Sequence, residues 1–134
     1  MKATVIPFIM SEDARTQADY YKQVFGGEIL AESTFGQVEG TPEEAKDKIM
    51  FLSMTIAGSN TLNMADSFEP VSGNHIELSL SFEDEKEARH TFEALSNSGC
   101  TVKYPFTYQP WDAFFGEVID KFGVTWQIVT QPAI

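Results

Sequence analysis

The side chains in this 134-residue chain that could do chemistry are two histidines, one cysteine and twenty Asp and Glu. His75 opens a segment in which Ile76, Leu78, Leu80 and Phe82 alternate with His75, Glu77, Ser79 and Ser81. A period of two sets the second group on the strand face opposite the aliphatic one. An imidazole and a carboxylate on that face could orient a ligand or donate to a metal. Glu117 lies in a further apolar segment, on a candidate position of the same kind. His90, between Arg89 and Thr91 in a helical stretch, reads as a solvent-facing residue. Cys100 has no His or Lys neighbour to activate it and reads as an ordinary thiol at a strand start.

Several chemistries are excluded by the same inventory. One Cys makes neither an internal disulfide nor a Cys-rich zinc site. Two His in these settings form no Ser/His/Asp or Cys/His set. No GxGxxG turn or phosphate loop is present. Nine Lys and Arg against twenty Asp and Glu leave a net charge of −11. That balance argues against nucleic-acid or anionic-membrane partners, which need clustered cations. The Ala3–Met10 run is short, contains Pro7 and passes straight into Glu12 and Asp13. It is not read as a signal peptide, and the expected compartment is the cytoplasm.

The elements that must position these residues follow from periodicity. Residues 3–10 predict a buried strand, and Ala14, Ala18, Tyr21, Val24 and Phe25 predict a helix over 12–25 with Ser11 as N-cap. Gly26-Gly27 ends that helix. Glu28 to Thr34 reads as a strand with Ile29 and Ala31 on one face. Thr41-Pro42-Glu43-Glu44 has the form of a capping box and predicts a short helix. Strands follow at 49–57 and 61–65, joined by Gly58-Ser59-Asn60. Residues 66–74 look like a linker.

The pattern then restarts. A strand over 75–82, a helix over 83–96 and strands over 100–107, 114–120 and 124–130 are expected. Pro105 suits an edge strand. The order is thus βαβββ, linker, βαβββ: one domain over 1–134, with module one about 1–65, linker 66–74 and module two about 75–134.

The helix end Tyr20-Tyr21-Lys22-Gln23-Val24-Phe25-Gly26-Gly27-Glu28 resembles a signature of the vicinal-oxygen-chelate (glyoxalase/bleomycin-resistance) superfamily. The run from Trp111 through Asp120-Lys121-Phe122-Gly123-Val124-Thr125-Trp126 to Ile128 resembles its PhnB-like branch more specifically. The resemblance implies an α+β fold of two βαβββ modules forming a cup-shaped mixed β-sheet, commonly as a homodimer. It also implies a divalent metal in catalytic members, held by first- and last-strand residues of the modules.

Carried over residue by residue, the resemblance assigns His75, Gln127 and Asn63 to ligand positions. The first strand offers no His, Gln or Glu. One imidazole and two neutral amides make a poor divalent site, so no cofactor is expected. If a metal is present, its ligands are His75, Gln127 and possibly Glu77 or Glu117. The methyl-transfer label that homologues of this branch carry has no support in a glycine-rich turn.

The aromatics Tyr104, Phe106, Tyr108, Trp111, Phe114, Phe115 and Trp126 crowd the C-terminal third. They suit either a core and dimer interface or an apolar ligand cup. The leading expectation is a small-molecule-binding protein with His75, Asn63, Gln127, Trp111, Glu77 and Glu117 at its site. The alternative is a metal-dependent enzyme of lyase, isomerase or dioxygenase type acting on a small oxygenated substrate.

Overall fold

A computed structural model describes residues 1–131. The chain divides into a unit over Met1–Val71 and a second beginning at Ser72. Each runs strand, helix, three strands, and each builds its own four-stranded mixed sheet, as expected of an α+β chain of two βαβββ modules.

In the first unit β1 (Phe8–Ser11) leads to α1 (Ala14–Phe25), β2 (Ile29–Thr34), β3 (Ile49–Ile56) and β4 (Asn60–Asp66). The sheet order is β1-β4-β3-β2, with β1 parallel to β4 and the other neighbours antiparallel. Ala14, Ala18 and Tyr21 form the buried stripe of α1. They face alternate residues of β3 (Leu52, Met54, Ile56) and of β4 (Leu62, Met64), all buried. Burying each Leu, Ile or Met side chain stabilises by about 1.5–3 kcal/mol.

Two local devices fix this packing. Asp66, buried at the end of β4, accepts the Ala14 N–H on Oδ1 and the Ile49 N–H on Oδ2, each at 2.7 Å. It thereby ties the first turn of α1 to the start of β3. Gly27, at φ +120°, lets the chain leave α1 flush against β3: a Cβ there would lie 1.9 Å from the Thr55 carbonyl oxygen.

The second unit repeats the plan with β5 (Leu78–Phe82), α2 (Glu85–Ser96), β6 (Thr101–Gln109), β7 (Ala113–Ile119) and β8 (Thr125–Thr130), in sheet order β5-β8-β7-β6. Ala88, Phe92 and Leu95 of α2 are buried, as are Val118, Trp126 and Ile128 of the sheet. Gly116 has no side chain because the Phe92 ring takes that space, with a ring carbon 2.7 Å from where a Cβ would stand. The β7–β8 turn closes on Asp120. Its Oδ1 accepts the N–H groups of Phe122 and Val124 at 2.9 and 3.0 Å, and its Oδ2 accepts the Trp126 indole N–H at 2.9 Å.

Several elements differ in detail from the pattern reading. The first strand starts at Phe8, because its parallel ladder with β4 holds only four pairs, Phe8–Asn63 to Ser11–Asp66. Ser11 belongs to that strand and donates to Gln17; Asp13 caps α1 instead, accepting the Thr16 N–H. The Thr41 hydroxyl donates to the Phe35 and Val38 carbonyls rather than capping, and only a single 3-10 turn (Glu43–Ala45) follows. A register shift between Ile29 and Ala31 sets Ile29 against Met54 and Ala31 against Ser53, so the two do not share a face. Asp66 is the last residue of β4 rather than the first of a linker. Pro105 does lie in an edge strand, inside a second register irregularity.

Candidate functional site

The second sheet has two unlike faces. Gly116 marks the face against α2, so Phe115 and Glu117, one residue to either side, point the other way. Register carries this face across the sheet: Glu117 pairs with Gln127, and Gln127 pairs with Ser79. Glu77 stands just before β5, and Lys103 stands on β6 near Tyr104, the residue paired with Glu117.

Four side chains meet there. The Gln127 amide Nε2 donates to Glu77 Oε1 at 3.0 Å. The Lys103 ammonium donates to Glu117 Oε1 at 3.4 Å and lies 3.7 Å from Glu77 Oε2. The side chains grade from buried to open: Glu117 is 5% exposed, Glu77 25% and Lys103 44%.

The Glu77 and Glu117 carboxyl groups interact with each other and shift in opposite directions. Burial, and then the bond it donates to Glu77, push the Glu117 carboxyl above the ordinary glutamate range. Glu77 is held below that range, first by the bond from Glu117 and then by the bond from Gln127. The charge of Glu117 is the main reason the Lys103 ammonium is held above the ordinary lysine value. The two shifts run in opposite directions, favouring the protonated form of Glu117 and the ionised form of Glu77, as in two like acids that share a site. The cluster can therefore offer a ligand two carboxyl groups, an ammonium and an amide within a few ångströms.

The other expected site residues sit as follows. His75 is exposed at a bend three residues before β5, outside the strand that was expected to aim it. Trp111 is 58% exposed in the β6–β7 turn. That turn abuts Ala113, whose backbone is about 13 Å along β7 from Glu117 at the usual strand rise of ~3.3 Å per residue. Asn63 belongs to the first unit, on β4 between Phe8 and Ser53. Its Oδ1 is buried with no hydrogen-bond partner among the described residues. The structure thus brings Glu77, Glu117 and Gln127 together and adds Lys103, which the pattern reading missed. Its one signal was a lone cation beside Pro105, in an acidic chain with few cations.

The divalent metal implied by the resemblance does not fit this donor set. Burial favours the protonated form of Glu117, Gln127 turns its NH₂ toward Glu77, and the Lys103 ammonium faces both carboxyl groups. Among the described residues, no three His, Cys, Asp or Glu side chains converge as a metal cluster.

Comparison with known proteins matches the chain to a family. The family model described as 3-demethylubiquinone-9 3-methyltransferase matches residues 2–129. Protein PA1353 from Pseudomonas aeruginosa superposes with a TM-score of 0.81 at 29% identity, covering 98% of this chain and all of that one. The PhnB protein from Bacillus cereus gives a TM-score of 0.77 at 23% identity, over 96% of this chain and all of that one. A glyoxylase/bleomycin resistance protein/dioxygenase domain from Frankia shares the fold at 12% identity, with a TM-score of 0.70 over 97% and 98% of the two chains. The chain belongs to the PhnB-like 3-demethylubiquinone-9 3-methyltransferase family and shares the fold of the glyoxalase/bleomycin-resistance proteins.

Proposed function

We propose that this chain binds a small organic molecule without a resident divalent metal, on the face of the second sheet turned away from α2. One observation carries the reading: Glu77, Glu117, Lys103 and Gln127 converge there with mutually satisfied charges. A ligand pocket needs a few fixed polar groups among apolar ones, and Phe115 and Val129 pair on the same face. Glu77, Glu117 and Gln127 orient the ligand. His75, Asn63 and Trp111 remain proposed ligand-binding residues, and the chain is proposed to act as one PhnB-like domain in a cytoplasmic homodimer.

The methyl transfer in the family's name gains no support from the strand-to-helix turns. These run through Glu12-Asp13 in the first unit and Glu83-Asp84 in the second, without glycine. No described helix is long and apolar enough to cross a membrane.

The test combines elemental analysis with a thermal-shift screen of small organic acids, amides and phenols. Wild type should carry well under one divalent ion per chain, and nickel, zinc or manganese should leave its Tm unchanged. A ligand at 100 times its Kd stabilises by about 2.7 kcal/mol, roughly 10 °C for a chain of this size. That shift should vanish in Glu77→Gln and Gln127→Ala variants that keep their circular dichroism. One metal per chain, or hits that shift all three proteins alike, would overturn the reading. Light scattering checks the dimer: a mass near the 15.0 kDa of one chain at micromolar concentration refutes it.

A further inference from the structure

We propose that the Lys103 ammonium occupies, as a built-in cation, the position between the Glu77 and Glu117 carboxylates that a divalent ion would otherwise take, and that removing it converts the second module into a divalent-cation site. The inference rests on the proposed metal-free reading of this face and names what keeps it metal-free.

The geometry carries it. Two carboxylates and an amide from three parts of the sheet converge on one spot, which is most of a hard-cation donor set. A cation already stands there: Nζ is 3.4 Å from one carboxylate and 3.7 Å from the other. Lys103 comes from the edge strand β6, and its side chain is the most exposed of the three charged ones. It can be shortened or neutralised without cutting into the core under α2.

An ammonium satisfies carboxylates at hydrogen-bonding distance. A divalent ion must instead bind oxygen directly at about 2.0–2.6 Å. With Lys103 in place, an incoming ion meets a like charge on the spot it would occupy. With Lys103 gone, that repulsion is removed and both carboxyl groups are left to act as ligands.

The experiment is calorimetric titration of manganese, and separately of zinc, into the full chain. The proteins are wild type, Lys103→Met, Lys103→Arg and the double variant Lys103→Met/Glu117→Gln. Circular dichroism and Tm confirm that each is folded. Lys103→Met should bind one ion per chain at least tenfold more tightly than wild type. Lys103→Arg, which keeps a cation, should stay like wild type, and adding Glu117→Gln should abolish the gain. A folded Lys103→Met no tighter than wild type, or a gain that survives Glu117→Gln, would overturn the inference while leaving the metal-free reading intact. Stoichiometric metal in wild type itself would overturn both. Should Lys103→Met not fold, Lys103→Gln takes its place, with the same outcomes required.

Discussion

Replacing Asp120 by Asn asks whether the C-terminal signature of this family is structural. The carboxylate is 3% exposed and accepts three hydrogen bonds, two from the turn backbone on Oδ1 and one from the Trp126 indole on Oδ2. Asn keeps the size and can leave its carbonyl oxygen on the two turn N–H groups. It must then turn its own NH₂ against the indole N–H, donor to donor. The charge-assisted bond to the indole is lost, worth about 1.5–3 kcal/mol, and a donor buried with Trp126 loses an acceptor, at about 1–3 kcal/mol. These overlap, so the expected net cost is about 3 kcal/mol. For a chain of this length that is a fall in Tm of roughly 10 °C.

A double-mutant cycle isolates the bond. Trp126→Phe removes the indole N–H, and the double variant should be more stable than additivity allows by about 1–2 kcal/mol. Urea denaturation followed by circular dichroism gives all four free energies. An Asn variant within about 3 °C of wild type, or a cycle with no coupling, would refute the argument. The effect also reaches the site. This turn sets the β7–β8 register in which Glu117 stands opposite Gln127.

Three further outcomes are expected. Glu117 is held above its unfolded pKa, so the stability it contributes is full below the ordinary glutamate range and is lost as pH rises through its folded value. Gln mimics its protonated form and can still donate to Glu77. Glu117→Gln should therefore match wild type in acid and exceed it at neutral pH in pH-dependent urea melts; the opposite order would place the proton elsewhere. Asp66→Ala should cost about 3–5 kcal/mol, since two backbone N–H groups each lose a charged acceptor worth about 1.5–3 kcal/mol, and loss of hydrogen-exchange protection at Ala14 and Ile49 checks it. Gly27→Ala should give insoluble or unfolded protein, because its Cβ would overlap the Thr55 carbonyl at a φ that side chains avoid; a soluble variant with native melting would contradict the packing.

What the sequence made legible is what local periodicity controls. Leu78, Leu80 and Phe82 are half-buried while Ser79 and Ser81 are exposed, as the alternation required. The repeat of strand, helix and three strands also follows from pattern alone. The ends of elements do not, because a strand ends where its partner ends. The ladder of β5 starts at Leu78 against Trp126, so His75 falls outside the strand although its own residues alternate well. A bulge has the same effect on Ile29 and Ala31. Lys103 was invisible for another reason: its side chain reaches across to residues 14 and 26 positions distant, and nothing in its neighbours encodes that reach. The Asp120 to Trp126 run was recognised as a signature, but the bond that gives it a physical meaning is a matter of geometry.

The repeat itself explains why the converging polar side chains lie in the second module. Asn63 and Gln127 occupy the same place in the two sheets, each on the fourth strand between a parallel and an antiparallel neighbour. In the first sheet the flanking residues are Phe8 and Ser53, and in the second they are Ser79 and Glu117. Register therefore hands the second amide a carboxyl neighbour and the first a hydroxyl. Glu77 and Lys103 then complete the second set, whereas Asn63 keeps an oxygen buried without a partner among the described residues. A buried amide oxygen without a donor costs about 1–3 kcal/mol, while the polar groups of the second set have partners in one another. The same backbone frame thus supports two unlike environments, which differ at both flanking positions and in the Glu77 and Lys103 side chains that reach only the second.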